Sequence, residues 1–402
     1  MKKRVAVFFG GRSPEHDVSI VSALQAMSAI DTAVYDPFAV YVTTDGKWLV
    51  GDVLRDRANY FLDKNALKQT RQVTLDMTAG PTGRLIPINA GFFAPKAIEF
   101  DIALLMFHGI NGEDGTIQGA LQFAGIAYTG PQYDTSGIYM DKVATKRVIE
   151  NAGIPVLPFA VIKRPTKGFK VDKDAIKKQM GNIAFPCILK PNHLGSSIGI
   201  AKVNSLDEVQ DCLPAIFDMD DTAILEPFVQ NLTEYNVAVT RIDGNVRLSA
   251  IERPKATEEL LDFKTKYLSG GDNKSGTKTG GTKNALPSEG MLSLTREINP
   301  AMSADIKTKI ETWSRLMFDT LDGNGAPRID YICNGETGEI WLNEVNPIPG
   351  SYGFFLWEAA PDTPLLFTEL LTHLLQEAET MRKRRIIPAD PVPKDAHLFK
   401  RS

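Results

Sequence analysis

The sequence predicts an α/β protein whose first unit is built on a parallel sheet, and three observations lead there. An apolar run from Val5 to Phe9 passes through glycines into a helical pattern at Val18, Val21, Leu24, Met27 and Ile30. That order is a strand followed by a helix. Further apolar runs at Phe38–Val42 and Ile102–Phe107 repeat the strand signal. The second of these stops at His108 before a glycine-rich polar loop, and loops at the C-terminal ends of such strands are where open α/β sheets hold ligands. Between the runs, Val53 to Glu99 is polar and poorly periodic and reads as decoration.

A second unit opens near Pro131. Its signals are a helix over Asp141–Asn151 and strands at Val156–Val161 and Phe185–Leu189. A third begins near Phe228, with strands at Tyr235–Arg241 and Val246–Ile251 around the turn Asp243-Gly244. Gly270 to Gly290 is rich in Gly, Lys, Thr and Ser, offers almost nothing to a core, and reads as a mobile lid. Thr363-Pro364 leads into Leu366, Leu370 and Leu374 as a capped amphipathic helix, in which His373 reads as structural. The tail after Arg385 is Pro-rich and charged and takes no catalytic role.

Bulk properties narrow the partners. A formal charge of -4 over 402 residues gives no basic field for nucleic acid or an anionic membrane. Cys187, Cys212 and Cys333 are odd in number and widely spaced, which speaks against a disulfide framework or a zinc cluster and fits a reducing cytoplasm. Neither a secretory leader nor a run of eighteen apolar residues is expected. Small molecules remain as the expected partners.

Near the C-terminus, Arg328-x-Asp330 and Glu344-x-Asn346 flank the turn cluster Asn334–Gly338. Side chains alternate faces along a strand, so a hairpin centred on Thr337 sets Asp330 opposite Glu344 and Arg328 opposite Asn346. Two facing carboxylates repel by roughly 4 kcal/mol at about 4 Å and an effective dielectric near 20. A cation reverses that sign. All-oxygen ligands suit Mg²⁺ or Mn²⁺, two of which can clamp a transferring phosphoryl group; the competing reading is a solvated hairpin with an Arg-carboxylate pair.

Other loops add chemistry. Gly10-Gly11-Arg12-Ser13-Pro14-Glu15 enters a helix without dinucleotide spacing, and Glu15 there suits an ammonium rather than a phosphate, although a bare helix-dipole role also fits it. His108 to Gly115 gathers His108, Glu113 and Asp114 in a glycine loop. Lys190 precedes Asn192 to Gly199, a loop able to fold backbone N–H groups over phosphates, while a Walker-type P-loop string is absent. The backbone after Ile224-Leu225-Glu226 can pair with an adenine edge, and Glu234 is a ribose candidate.

Taken together, Glu15 in its Gly-Gly turn, His108–Gly115, Met140-Asp141-Lys142, Lys190-Pro191 with Gly195-Ser196-Ser197, Lys266-Tyr267, Arg328-x-Asp330 and Glu344-x-Asn346-x-x-Pro349-Gly350 resemble the D-alanine-D-alanine ligases of the ATP-grasp superfamily. The likeness runs from about residue 4 to 376. It implies an ATP-grasp fold: a Rossmann-like substrate domain over 1–130, a central lid domain over 131–227, a catalytic domain over 228–385, and a tail over 386–402. By the same likeness Lys142 and Lys190 meet ATP phosphates beside Ser196 and Ser197, and Glu226, Val229 and Glu234 hold adenine and ribose. Asp330, Glu344 and Asn346 carry two Mg²⁺ or Mn²⁺ ions. Glu15, His108 and Lys266 bind substrate, Glu15 linking through Ser196 to Tyr267, while Arg328 and the Gly350 N–H steady an oxyanion. The implied reaction joins two D-alanines through an acyl phosphate for peptidoglycan precursors, in a homodimer.

The sequence departs from the family past Gly350. A serine that would grip the second substrate's carboxylate is replaced by Phe355, Pro347 stands where threonine is common, and the lid reads Asp262-Phe263. These changes point to a second substrate other than D-alanine. A non-catalytic nucleotide-binding paralogue would lose lysines or metal ligands first, yet all are present; a biotin-carboxylase-like enzyme would lack Glu15, Ser196 and Tyr267.

Overall fold

Three sheets divide the chain. A computed structural model describes residues 2–61, 64–78, 80–88, 96–195, 198–254 and 296–385, with Pro393 and Ala396. The first sheet holds β1 (Lys3–Gly10), β2 (Tyr35–Val42), β3 (Trp48–Val50), β4 (Arg71–Leu75), β5 (Gly83–Pro87), β6 (Ile98–Phe100), β7 (Ile102–Leu105) and β8 (Ala127–Tyr128), ordered 6-5-4-3-2-1-7-8. Only β2, β1, β7 and β8 are parallel. The stretch expected to be decoration instead supplies β4, β5 and most of an antiparallel extension. Val73, Leu75 and Leu85 are buried at alternate positions there, but each run is only five residues long and its exposed positions, Arg71, Thr74, Arg84 and Ile86, mix charged, polar and apolar side chains, which hides the strand period in the sequence.

The second sheet contains β9 (Ala160–Lys163), β10 (Cys187–Pro191), β11 (Ala201–Val203) and β12 (Thr222–Pro227), all antiparallel, in the order 11-10-12-9. The strand expected from Val156 begins only at Ala160, after Pro155 and Pro158. The third comprises β13 (Leu232–Ile242), β14 (Asn245–Pro254), β15 (Arg296–Ile298), β16 (Arg328–Asn334) and β17 (Ile340–Asn346), ordered 15-14-13-16-17. Asp243 and Gly244 both take positive φ, as a two-residue hairpin turn requires.

Ten α-helices cover these sheets among the described residues: α1 (His16–Ala29), α2 (Lys64–Lys68), α3 (Thr116–Phe123), α4 (Tyr133–Met140), α5 (Lys142–Asn151), α6 (Lys173–Met180), α7 (Leu206–Phe217), α8 (Ala304–Thr320), α9 (Phe354–Glu358) and α10 (Phe367–Arg384). Helix α1 forms where expected but turns a different face inward. It buries Ser19, Ile20, Ala23, Ala26 and Met27, leaving Val18 and Val21 exposed, because small residues let it lie close on β1. Helix α10 has its N-cap at Leu366 rather than at the expected Thr363, its first turn closed by the Glu369 carboxylate accepting from the Leu366 N–H.

The first core joins the two ends of the chain. Leu370, Leu371, Leu374 and Leu375 of α10 pack with Tyr352, Leu356 and Trp357 against β1, β7 and β8. The segment after β17 is thereby fastened to the first sheet: Tyr352 Oη donates to Leu105 O (2.7 Å) and the Ser351 N–H to Ser22 Oγ (3.0 Å). Gly350 is held at the junction.

Candidate active site

A cleft of about 480 Å³ opens where the sheets meet, lined by Glu15, His108, Lys142, Lys190, Glu234, Arg328, Asp330, Glu344, Asn346 and Gly350 among others. Glu226, Val229 and Phe355 do not line it. Ser196, Ser197, Lys266, Tyr267 and the Gly270–Gly290 stretch lie outside the described residues.

The hairpin has the expected pairing where chemistry is expected: Arg328 opposes Asn346 and Asp330 opposes Glu344. Its two ends are nevertheless out of step. Past Asp330 the partner of Tyr331 is Leu342, so Asn343 is an extra residue in β17, a bulge the symmetrical hairpin did not anticipate. The bulge brings both Asn343 and Glu344 to the cleft, which strict alternation would forbid. Burial of Ile329 and Val345 on the opposite face fixes the register.

Arg328 forks Asp330, with Nε and Nη2 each 2.7 Å from a carboxylate oxygen, and Asn346 Nδ2 donates to the same group at 2.9 Å. Burial still raises the Asp330 carboxyl, and Glu344 and Glu252 raise it further against the pull of Arg328. Burial also lifts the Glu234 carboxyl, with Asp330 and Glu344 adding to it. Burial pushes Glu344 the same way, but Lys142 (3.1 Å), Lys190 and Arg328 outweigh it and hold it low. Glu234, Asp330 and Glu344 thus bring three carboxylates to one cleft.

Lys142 lies just past Asp141, whose carboxylate caps α5 through the Ala144 N–H (2.8 Å). Lys142 Nζ also donates to Leu194 O (2.6 Å), tying α5 to the loop after β10. Next to it His193 bridges Asp220 (2.9 Å) and Asp141 (3.5 Å), and these two carboxylates push its imidazole up to about 10. Lys190 Nζ meets Asn343 Oδ1 (2.9 Å) and Glu226 (2.7 Å).

Glu226 is the main revision of geometry. Its second oxygen faces Lys146 Nζ at 2.7 Å, a charge contact without hydrogen-bond alignment, and all three side chains are buried. Burial opposes ionisation of Glu226, but the two lysines bring its carboxyl down to about 2. Its side chain is a buried counter-ion beneath Lys190. Lys146 was missed, although its place four residues after Lys142 on one helix put both on the same face.

At the other wall Glu15 and the loop after β7 converge. Gly109 has φ +74°, and a Cβ there would lie 2.4 Å from Ser13 Oγ and 2.8 Å from Glu15 Oε2. His108 is buried against Ser22 (2.9 Å), and burial with nearby Arg328 lowers its imidazole to about 4. Glu113 accepts from the Gly109 and Ile348 N–H groups (2.7 and 2.8 Å), and burial, with Glu15 adding to it, raises its carboxyl to about 8.

Comparisons with known proteins agree on one family. A model described as the D-ala D-ala ligase N-terminus matches residues 4–131, and one described as the D-ala D-ala ligase C-terminus matches 148–289 and 283–376. The D-alanine–D-alanine ligase of Thermosipho africanus is 32% identical over 390 residues, covering 96% of either chain. That of Enterococcus faecalis is 29% identical over 380 residues, covering 93% of this chain and 98% of its own. The solved VanG D-Ala:D-Ser ligase of Enterococcus faecalis superposes with a TM-score of 0.70 at 25% identity, over 94% of this chain and all of its own. The Coxiella burnetii D-alanine-D-alanine ligase, at 21% identity and a TM-score of 0.72, covers 96% of this chain and 97% of its own and shares the fold.

Proposed function

The chain belongs to the D-alanine–D-alanine ligase family of ATP-dependent ligases with the ATP-grasp fold, and from that premise we propose that it joins D-alanine to D-alanine, or to a related second amino acid, for peptidoglycan precursors in the cytoplasm. The observation that carries this reading is the patch of Arg328, Asp330, Glu344 and Asn346, set between the Lys142–Lys190 pair and Glu15 in one cleft. The three sheets support a substrate domain over 1–130, a central domain over 131–227 and a catalytic domain over 228–385. A homodimer is the assembly proposed with it.

Lys142 and Lys190 receive the phosphates of ATP, Glu234 takes the ribose, and the backbone near Val229 meets adenine with Glu226 beneath. The oxygen donors of Asp330, Glu344 and Asn346, gathered on one face of the cleft beside Glu234, suit divalent cations and would hold two Mg²⁺ or Mn²⁺ ions. Such ions neutralise charge on the transferring phosphoryl group. Glu15 holds the ammonium of the first D-alanine, with His108 close by and Ser196, Tyr267 and Lys266 completing the site. The carboxylate of this first D-alanine attacks the γ-phosphorus, a P–O bond forms to give the acyl phosphate, and ADP leaves as the bond between its β-phosphate oxygen and the γ-phosphorus breaks. The free amine of the second substrate then attacks the acyl carbon, phosphate departs with the C–O bond, and one proton is released. Arg328 and the Gly350 N–H steady the tetrahedral oxyanion.

Phe355 at the expected serine, and the likeness to a D-Ala:D-Ser ligase, support the related-substrate form. The test is phosphate release with ATP, Mg²⁺ and D-alanine, run beside D-serine and other D-amino acids as second substrates. Turnover on D-alanine alone with a tight second-site constant would remove the related-substrate form; no turnover with any of them would refute the ligase reading.

A further inference from the structure

A polar row crosses the third sheet on its cleft side. Register pairs set Glu252 beside Asn236, Asn236 beside Asp330, and Asp330 beside Glu344, so four strands contribute one residue each. The lysines close the Glu344 end. At the other end, on the edge strand β15, stands Arg296, which also lines the cleft.

Arg296 is held on two sides. Its Nη1 donates to Glu252 Oε2 at 2.9 Å, while the other Glu252 oxygen accepts from Asn236 at 3.0 Å. Its guanidinium lies over the Phe355 ring, 4.6 Å from the centroid. Yet Nε is buried and finds no acceptor. A buried donor left so is unfavourable unless a ligand supplies the acceptor. Nε and Nη2 form the side-on fork that matches a carboxylate with two parallel bonds. In Arg328 the equivalent fork is closed by Asp330; in Arg296 no such carboxylate sits on Nε.

We infer that Arg296, braced by Glu252 and stacked on Phe355, binds the α-carboxylate of the second amino acid in place of a serine hydroxyl. This rests on the ligase reading above and adds the group that recognises the acceptor. Phe355 then has a use: it supports the planar cation that takes over the anchoring. A charge-assisted fork favours acceptors that carry a carboxylate and leaves their side chains to the rest of the cleft.

The test compares D-alanine with D-alaninamide as acceptors, at a D-alanine concentration that saturates the first site, with the two dipeptide products quantified by mass spectrometry. In the wild-type protein kcat/KM favours D-alanine by about a hundredfold or more, as expected when a buried donor is left without its acceptor. Arg296→Gln lowers kcat/KM for the second D-alanine by about a hundredfold and collapses that preference to within a few-fold, while the KM for ATP stays within about threefold. Arg296→Lys keeps part of the preference and Phe355→Ala loses about tenfold of it. A mere counter-ion of Glu252 would alter thermal stability and leave the ratio of the two acceptors unchanged. An unchanged ratio in folded Arg296→Gln, or in both Arg296→Lys and Phe355→Ala should that protein fail to fold, overturns the assignment. Absence of phosphate release in the wild-type protein with D-alanine and every D-amino acid offered as second substrate overturns the ligase reading, and the assignment with it.

Discussion

Replacing Glu226 with glutamine removes one negative charge from between two lysines that have little contact with water. Lys146 is fully buried and Lys190 nearly so, and each ammonium lies 2.7 Å from a different Glu226 oxygen. Two independent routes give the cost. Moving the carboxyl from its ordinary 4.5 to about 2 corresponds to about 3 kcal/mol of preferential stabilisation of the charged form. Removing one partner from a buried ion pair costs about 3–5 kcal/mol, because the remaining charge is left unpaired. At about 4–8 °C per kcal/mol for a unit of roughly a hundred residues, such as the proposed domain over 131–227 that holds all three side chains, calorimetry should show its transition lowered by about 12–24 °C at pH 7. The pH dependence carries a sign. The folded-state pKa is depressed, so the stabilisation is full above 4.5 and is lost as pH falls towards 2, where wild-type and Glu226→Gln proteins converge. Adding Lys146→Met to Glu226→Gln removes the orphaned ammonium and should restore more than half of the loss. If the double variant is no more stable than Glu226→Gln, or the single variant loses under about 1 kcal/mol, the counter-ion account is wrong.

Three further outcomes are expected. Because the buried His108 imidazole is lowered to about 4 from 6.5, it costs stability as pH falls from 6.5 towards 4, by about 3 kcal/mol, and urea midpoints of His108→Gln should lack that acid limb. Gly109→Ala would drive a methyl group against Ser13 and Glu15, so the first-site KM for D-alanine should rise about tenfold or more with ATP KM unchanged; equal KM values would show that Glu15 does not meet that substrate. Arg328→Lys keeps the charge but cannot fork Asp330, and steady-state kinetics should show kcat down about a hundredfold, whereas a loss confined to ATP KM would place Arg328 with the nucleotide.

The functional half of the hairpin was legible because both its constraints are local: alternation along two strands and a turn cluster of known length. The bulge was not, since nothing in Leu342-Asn343-Glu344 announces an extra residue; it emerges from pairing β16 with β13 and β17 together. Glu226 was legible as a strand residue near nucleotide chemistry but not as a counter-ion, because its partners come from α5 and β10, 80 and 36 residues away in sequence. The antiparallel half of the first sheet was lost because its strands are only three to five residues long and their exposed positions follow no single polarity. Arg296, on a three-residue edge strand, gave no pattern to read.

The extra residue at Asn343 splits the hairpin into two segments that keep separate time. The inner segment takes its beat from β13 and from Ile329 and Val345, the outer from the tip at Asn334–Glu339. A bulge absorbs the half-step between them, so a change of loop length at the solvent tip can be met by moving the slack rather than by rotating Asp330 and Glu344 out of the cleft. The arrangement lets sequence drift at the tip proceed while the reactive groups stay in phase.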